Sequence, residues 1–245
     1  MAKATRHPLF RHRYFDDEII LLCVRWYVTY KLSYRDLASM VNRPQVLLER
    51  GVSLSPSTIY RWVQRFVPEF EKRWDRFSRS VGSSWRVDET YVNIKGQWQY
   101  LYRAVDKQGR TVDFYLSKTR GIAAAQHFFR KAVATHAGRL PKKVTLDGHK
   151  PSHRALRLLR RENVNWKYAQ VRGCKYLNNI AEQGHRAIKS TCRAMKSFQT
   201  FRSAATTITG LELADRIHKR QFLGLNTDRK HPLNLARAWN AYGLA

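Results

Sequence analysis

The sequence predicts an α/β protein in which a mixed sheet flanked by helices follows a small all-α domain. Up to about residue 75, apolar side chains recur at helical spacing behind residues that cap helices. From Trp85 the pattern changes to apolar and polar alternation broken by short turns, which is typical of antiparallel strands. After about residue 120, helical and strand patterns alternate, as they do when helices cover a sheet whose later strands are joined by crossovers.

Three helices are predicted in the amino-terminal region, after a basic arm. Asp16 can cap the first, which runs to about residue 29, and Ser33 starts the second. Ser55 caps the third, with Pro56 at its first helical position. One face of the third helix is polar and carries Arg61, Gln64 and Arg65. Three short helices of this kind predict a helix-turn-helix domain that reads DNA. A generic three-helix unit with a solvated polar face is the alternative.

The second part of the chain predicts the element order β-β-β-α-β-α-β-α. The strands are WRVDETYVNI, WQYLYRAVD, TVDFYLSK, KKVTLD and NWKYAQV, and the helices lie at IAAAQHFFRKAVATHA, at about 152–161 and at about 180–195. This is the order of an RNase H-like fold. A further helix at about 202–220 and a loop-rich tail follow.

The predicted domain boundaries follow these changes of pattern. They are a basic arm at 1–13, a helix-turn-helix DNA-binding domain at 14–75, a linker at 76–84, an RNase H-like catalytic domain at 85–222 and a carboxyl-terminal tail at 223–245.

The chain is strongly basic, with 46 lysines and arginines against 18 acids and a formal net charge of +28. Because the excess is shared by both halves of the sequence, a single basic tail on a neutral enzyme is excluded. Self-repulsion of this size predicts a polyanionic partner, for which DNA is the first candidate and an anionic membrane surface the weaker one. The longest apolar run, Ile19–Val28, contains Arg25 and is too short to cross a bilayer. No membrane partner is therefore expected.

Other features exclude several kinds of site and compartment. The amino-terminal stretch lacks the pattern of a signal peptide, so a cytoplasmic, nucleoid-associated protein is expected. The three cysteines have neither disulfide nor zinc-ligand spacing. Neither glycine-rich nucleotide-binding motif occurs, so ATP is not implied.

Three acids are the candidate catalytic residues. Asp88 lies within the first strand, where an aspartate is costly unless it is paired, hydrogen-bonded or bound to metal. Asp147 ends the fourth strand, and Glu182 lies near the start of the long helix. Each acid has a plainer interpretation. Asp88 could form an ion pair with an arginine such as Arg86 or Arg103, Asp147 could belong to an Asp-Gly turn, and Glu182 could complete a capping box with Asn179.

In an RNase H-like sheet the first and fourth strands are neighbours, and the last helix begins near their ends. The three acids would then converge as metal ligands. Hard oxygen ligands with open positions suit Mg²⁺, with Mn²⁺ as a substitute, and two such ions can flank a phosphoryl transfer. On the long helix the basic residues Arg186, Lys189, Arg193 and Lys196 continue from Glu182 in one stripe, together with His185. The stripe would hold a DNA backbone against the metals; a solvated charged face is the alternative.

These residues resemble those of a DDE-type bacterial insertion-sequence transposase of insertion sequence family six. WRVDETYVNIKGQWQYLYRAVDKQGRTVDFYLSKTR is similar to the first catalytic segment of that family, VTLDG to its second, and KYLNNIAEQGHRAIKSTCRAMKSFQTFRSAATTITGLEL to its third. Thirty-four residues separate Asp147 from Glu182, the interval typical of the family. Lys189 matches a basic position that these enzymes use on the transposon end. LSYRDLASMV and STIYRWVQRF extend the likeness into the amino-terminal region.

The resemblance implies a Mg²⁺-dependent DNA transposase. Such an enzyme binds the terminal inverted repeats of its own element, exposes a 3′-hydroxyl and joins it to target DNA, working as a homodimer or a larger homo-oligomer. Two other functions stay open: a non-catalytic DNA-binding protein, such as a decayed or repurposed transposase acting as a repressor, and a simple RNase H-like nuclease. A transposase carries out metal-dependent strand transfer, whereas a non-catalytic DNA-binding protein does not. A simple nuclease would stay active after deletion of the amino-terminal domain.

Overall fold

The computed structural model describes residues 7–11, 13–42, 53–147, 150–173, 190, 198–226 and 233–243. Their contacts divide the chain into two units. The helical unit takes the described residues up to Arg79 and those from Phe201 onward, and the sheet unit takes those between Ser80 and Thr200. The helical unit is thus built from two separate stretches of chain.

The three predicted amino-terminal helices are present, and local capping explains where two of them begin. Ser33 Oγ accepts a hydrogen bond from the Asp36 backbone N, while the Asp36 carboxylate accepts one from the Ser33 backbone N, so both halves of a capping box are formed. Ser55 Oγ accepts from Thr58 N at 3.2 Å. The side chain of Asp16 makes no capping bond, in contrast to the expectation. The bounds are α1 Asp17–Thr29, α2 Tyr34–Val41 and α3 Pro56–Asp75.

Two further helices, α6 Phe201–His218 and α7 Leu235–Gly243, complete the helical unit. At Gly210 of α6, a Cβ atom would lie 2.5 Å from a methyl of Val28 and 3.2 Å from one of Val67, so glycine permits α6 to pack closely on α1 and α3. The predicted boundary grouped this helix with the sheet. The structure groups it with the amino-terminal helices, because its apolar side chains join their core.

The stretch predicted as a loop-rich tail contains α7. Trp239 of α7 is buried, with its ring edge-on to Phe70 at 5.6 Å and to Trp74 at 6.1 Å between ring centroids. Both partners lie on α3. The prediction of a loop-rich tail was therefore wrong for Leu235–Gly243. Packing of the buried Trp239 stabilises this short helix, whose sequence has only a weak helical pattern.

The sheet unit has the mixed sheet that the sequence predicts, with the RNase H-like strand order β3-β2-β1-β4-β5. The first three strands are antiparallel, β4 runs parallel to β1, and β5 runs parallel to β4. The bounds are β1 Ser84–Ile94, β2 Gln97–Asp106, β3 Thr111–Ser117, β4 Lys143–Leu146 and β5 Gln170–Gly173. The predicted RNase H-like fold class is confirmed.

Helices α4 Ile122–Thr135 and α5 Lys150–Glu162 cover one face of the sheet. We call this the covered face; its core includes Val87, Tyr102 and Leu146 from the strands and Phe128 and Leu156 from the helices. The fifth strand is shorter than predicted.

Residues 164–168 of the segment predicted as that strand form a 3-10 turn instead. Asn163 starts this turn by accepting a hydrogen bond from Asn165 N, and buried Trp166 anchors it against Phe129. The long helix predicted at 180–195 lies outside the described residues. In the part of the chain that the structure describes, no helix is both long and apolar enough to cross a membrane.

Candidate catalytic carboxylates

Asp88 and Asp147 lie side by side because of the register between β1 and β4. Val87 pairs with Leu146 in the parallel ladder, and the next residue on each strand is an aspartate. Neighbouring strands are about 4.8 Å apart, so the two Cα atoms are at the same level and close together. Val87 and Leu146 point into the covered face, and the alternation along a strand puts both aspartates on the opposite side. Both aspartates are half-buried.

Asp88 is held by its own backbone and faces a buried arginine across the sheet. One carboxylate oxygen accepts a hydrogen bond of 2.8 Å from Glu89 N. Its antiparallel partner in β2 is Arg103, which is buried and donates from Nη2 to Thr111 Oγ1 at 2.9 Å. Arg103 is one of the two arginines that the sequence suggests as an ion-pair partner, and the register places it directly opposite Asp88.

A histidine that sequence reasoning missed supports the backbone at Asp147. His153, in the first turn of α5, donates from Nε2 to the carbonyl oxygen of Asp147 at 2.9 Å. The same imidazole lies against Gly173 of β5, where a Cβ would be in ordinary contact at 3.6 Å. In the sequence, the sign that pointed to His153 was its position six residues after the candidate metal ligand Asp147, at the start of the next helix. His153 therefore fixes the point where the chain leaves β4.

The acids on the covered face have a different environment, because each is buried beside a basic side chain. The pairs are Glu89 with Arg120 at 2.6 Å, Asp106 with Arg110 at 2.7 Å, and Asp113 with Lys131. Thr135 also donates to Asp113 at 3.0 Å. These pairs tie strands to the loops and the helix that pack on them, which is a structural role.

Glu89 also affects the tyrosine that faces it across the ladder. Burial and the nearby carboxylate of Glu89 both raise the pKa of Tyr102 above its usual value, burial having the larger effect. The Tyr102 phenol is therefore neutral at physiological pH, and the covered face gains no second negative charge beside Glu89.

The two aspartates fit a divalent ion by the chemistry of their donors, since carboxylate oxygens are the ligands that Mg²⁺ and Mn²⁺ prefer. Within the described residues, no third histidine, cysteine or acid joins them into a metal-binding group. The predicted third ligand, Glu182, lies outside those residues. So does the predicted basic stripe, with Arg186, Lys189, Arg193 and Lys196.

The predicted base-reading residues of α3 divide into two kinds. Arg61 and Arg65 are exposed and lie one turn apart on the same face. Arg61 Nη2 donates to Thr58 Oγ1 at 3.3 Å, and the guanidinium of Arg65 lies over the ring of Phe66 at 5.8 Å. Gln64 is half-buried beside Tyr34, so the two arginines are the more exposed of the three predicted base-reading residues.

Comparison with known proteins covers the part of the chain that holds both aspartates. The family model described as a DDE domain matches residues 82–221, which include both aspartates. The transposase for the insertion sequence-like element IS431mec of Staphylococcus aureus is 35% identical over 211 residues, 86% of this chain and 89% of that protein. The transposase for IS257 in transposon Tn4003, also from Staphylococcus aureus, gives the same identity and coverage.

Among solved structures, the HTLV-2 integrase catalytic core domain in complex with magnesium aligns over 54% of this chain and 85% of that chain. Its TM-score is 0.40 and its identity is 10%, a likeness too weak to carry weight. The assignment depends on the family model, which spans more than half of the sequence, and on the two staphylococcal relatives. On these grounds the chain belongs to the DDE-type bacterial insertion-sequence transposases, in insertion sequence family six.

Proposed function

We propose that this chain binds the terminal inverted repeats of its own insertion sequence and catalyses Mg²⁺-dependent cleavage and strand transfer into target DNA. The observation that carries the proposal is the register of β1 and β4, by which Asp88, within β1, is level with Asp147, the residue that follows β4. Two carboxylates at this spacing repel each other, and a bound divalent cation offsets that repulsion. The curated relatives, which are transposases, support the same activity.

In this proposal Asp88, Asp147 and Glu182 hold the metal ions. When bound, Mg²⁺ or Mn²⁺ makes a water molecule or a 3′-hydroxyl more acidic and stabilises the leaving oxygen. The residues of the chain supply the geometry. The Glu89 backbone N orients the Asp88 carboxylate, and His153 holds the backbone of Asp147. No side chain has to form a covalent intermediate.

DNA is the proposed partner, both as element ends and as target, with the protein acting as a homodimer or a larger homo-oligomer. The net charge of +28 supplies attraction to phosphates along the whole chain. Arg61 and Arg65 on α3 are the proposed contacts to base edges, and Lys189, Arg186, Arg193 and Lys196 are the proposed contacts to the backbone near the metals. Gln64, which is half-buried, is the third proposed contact to a base edge.

The decisive experiment is strand transfer of labelled element-end DNA into a plasmid, with Mg²⁺ or with EDTA. We expect joined product only with the metal, and none from Asp88→Asn, which keeps the shape of the side chain but removes a charged ligand. Glu162→Gln is the matched control, because Glu162 is an exposed acid on α5 that pairs with Arg130. Wild-type protein that binds the ends yet never joins them would instead be a DNA-binding protein without catalytic activity.

End recognition by α3 has its own test, in which Arg61→Ala is titrated against cognate ends and against random duplex. A bidentate contact to a base is worth about 1 to 3 kcal/mol, so the loss should fall on the cognate ends. Arg130→Ala, which removes an exposed arginine from α4, is the control. Equal losses on both duplexes would make Arg61 a phosphate contact.

A further inference from the structure

Three aromatic rings stand together on the hairpin formed by β1 and β2. Tyr91 lies directly opposite Tyr100 in the ladder, with ring centroids 5.5 Å apart, and Trp98 is edge-on to Tyr91 at 6.3 Å. Trp98 is 61% exposed and Tyr91 39% exposed, while Tyr100 is half-buried. We call these three residues the hairpin platform.

The hairpin platform is on the same side of the sheet as the covered face, but it extends past the core of that face. Phe128 of α4 stacks on Tyr102, whereas Trp98 lies four residues further along β2 towards the turn. The other six tryptophans, all within described ranges, are buried or half-buried. An exposed tryptophan beside an exposed tyrosine is costly in water and indicates a surface that binds something.

The charged groups around the hairpin platform are basic. The guanidinium of Arg120 lies over the ring of Tyr91 at 5.4 Å and is held there by buried Glu89, whose charge it neutralises. Exposed Lys95 occupies the hairpin turn, and exposed Lys118 follows the end of β3 beside Tyr100. Aromatic rings bordered by cations suit a ligand that has flat rings and negative charge, which is the chemistry of a nucleic-acid strand.

The hairpin platform lies on the opposite face of the sheet from the two aspartates and further along β1. Tyr91 is three residues beyond Asp88 on β1, about 10 Å along the strand. β4 ends at Leu146, level with Val87, so the outer part of the hairpin continues past the end of its parallel neighbour. This outer part of the hairpin is therefore a surface separate from the two aspartates, and a nucleic-acid strand can lie on it without occupying them.

We propose that the hairpin platform stacks unpaired nucleobases of a DNA strand bound to this protein. The proposal rests on the proposed function for the identity of the ligand as DNA, and it adds a binding site for single-stranded bases. Tyr91 and Trp98 supply ring faces that accept any base, and Lys95 and Lys118 attract the adjoining phosphates. Because stacking is tolerant of sequence, this site holds opened DNA without reading it.

The test uses the full chain, without metal, and titrates it with oligo(dT). Binding is followed by fluorescence anisotropy of the labelled oligonucleotide and by quenching of protein tryptophan emission. We expect Trp98→Ala to weaken oligo(dT) binding about 5-fold or more. Trp98→Phe should retain most of the affinity but lose most of the quenching, because a stacking ring remains after the emitting one is removed.

Tyr168→Ala is the matched control, since Tyr168 is 80% exposed but lies on the 3-10 turn of the same unit. Equal affinity of Trp98→Ala and the wild type for oligo(dT) would overturn the proposal. The same holds if Trp98→Ala changes only the molecular mass in solution, which would make the hairpin platform a contact between copies. Oligo(dT) binding that depends on Trp98 in a protein without strand-transfer activity would contradict the proposed function alone.

Discussion

Asp88 and Glu89 are consecutive residues of β1, yet the two faces of the sheet place them in opposite environments. Glu89 is 4% exposed on the covered face and is held by Arg120 at 2.6 Å. Asp88 is half-buried on the other face, level with a second carboxylate at the end of β4. Burial beside a basic group makes a carboxylate part of the structure, whereas adjacency to another carboxylate raises the energy of the folded state.

The difference shows why the type of residue alone could not identify the site. Asp106 and Asp113 are as prominent in the sequence as Asp147, but each belongs to a buried ion pair on the covered face. In the proposed function, the nearness of a second carboxylate distinguishes Asp88 and Asp147 from these acids, and a divalent cation is the ligand that two neighbouring carboxylates can bind.

The largest expected effect is the loss of strand transfer on substitution of Glu182, which lies outside the described residues. It tests whether Glu182 belongs with the proposed metal ligands or with the structural acids. If Glu182 only completes a capping box with Asn179, glutamine can take its place, so Glu182→Gln should leave both joining and the melting temperature close to those of the wild type. A metal ligand would lose its charge, and strand transfer would fall by orders of magnitude, equivalent to several kcal/mol. Joining assays and thermal melts measure the two effects. Near wild-type joining would make Glu182 only a cap.

The next prediction concerns the ion pair between Asp113 and Lys131 on the covered face. Asp113→Ala removes the partner of Lys131 and the acceptor of Thr135, and it leaves a space beneath α4. We expect the free energy of unfolding to fall by about 2 kcal/mol, measured by urea denaturation. Strand transfer by the protein that remains folded should be unchanged, and a specific loss of activity would mean that the covered face takes part in catalysis.

The smallest expected effect is a slight gain, not a loss, in the free energy of unfolding. In EDTA, Asp147→Asn removes one of two neighbouring negative charges, so the free energy of unfolding should stay constant or rise by up to about 1 kcal/mol. Added Mg²⁺ should stabilise the wild type by mass action and leave this variant unaffected. Melting curves with and without Mg²⁺ give both results. A substantial destabilisation in EDTA would place Asp147 among the structural acids.

Local chemistry made much of the fold predictable from the sequence. Ser33 and Ser55 each start a helix by a short-range hydrogen bond, which a pattern of three or four residues can encode. The turn at Lys95 and Gly96, where both residues have positive φ, separates two alternating strands in the same local way. Asp147 could be selected because acids are rare in the surrounding sequence, and Asp88 because an aspartate inside a strand is costly unless it has a partner.

Long-range packing set the limits of the prediction. Gly210 reads as a weak point in a helix, and only its contact with Val28 and Val67 explains it. His153 acts through a bond to a backbone carbonyl, which leaves no trace in a motif. Trp239 stabilises α7 through α3, more than 160 positions earlier in the chain, so its helix could not be distinguished from a tail.

The separation of the helical unit into two stretches has a consequence for how the protein is made. About 125 residues lie between the end of α3 and the start of α6, and a ribosome adds roughly 5 to 20 residues per second. The apolar faces of α1 and α3 that receive α6 are therefore synthesised about 6 to 25 seconds before their partner. All five strands of the sheet lie within the stretch between α3 and α6, so they can pair during this interval. In a nascent chain the sheet can thus form before the helical core closes, and the uncovered helices are the surface on which a chaperone would act.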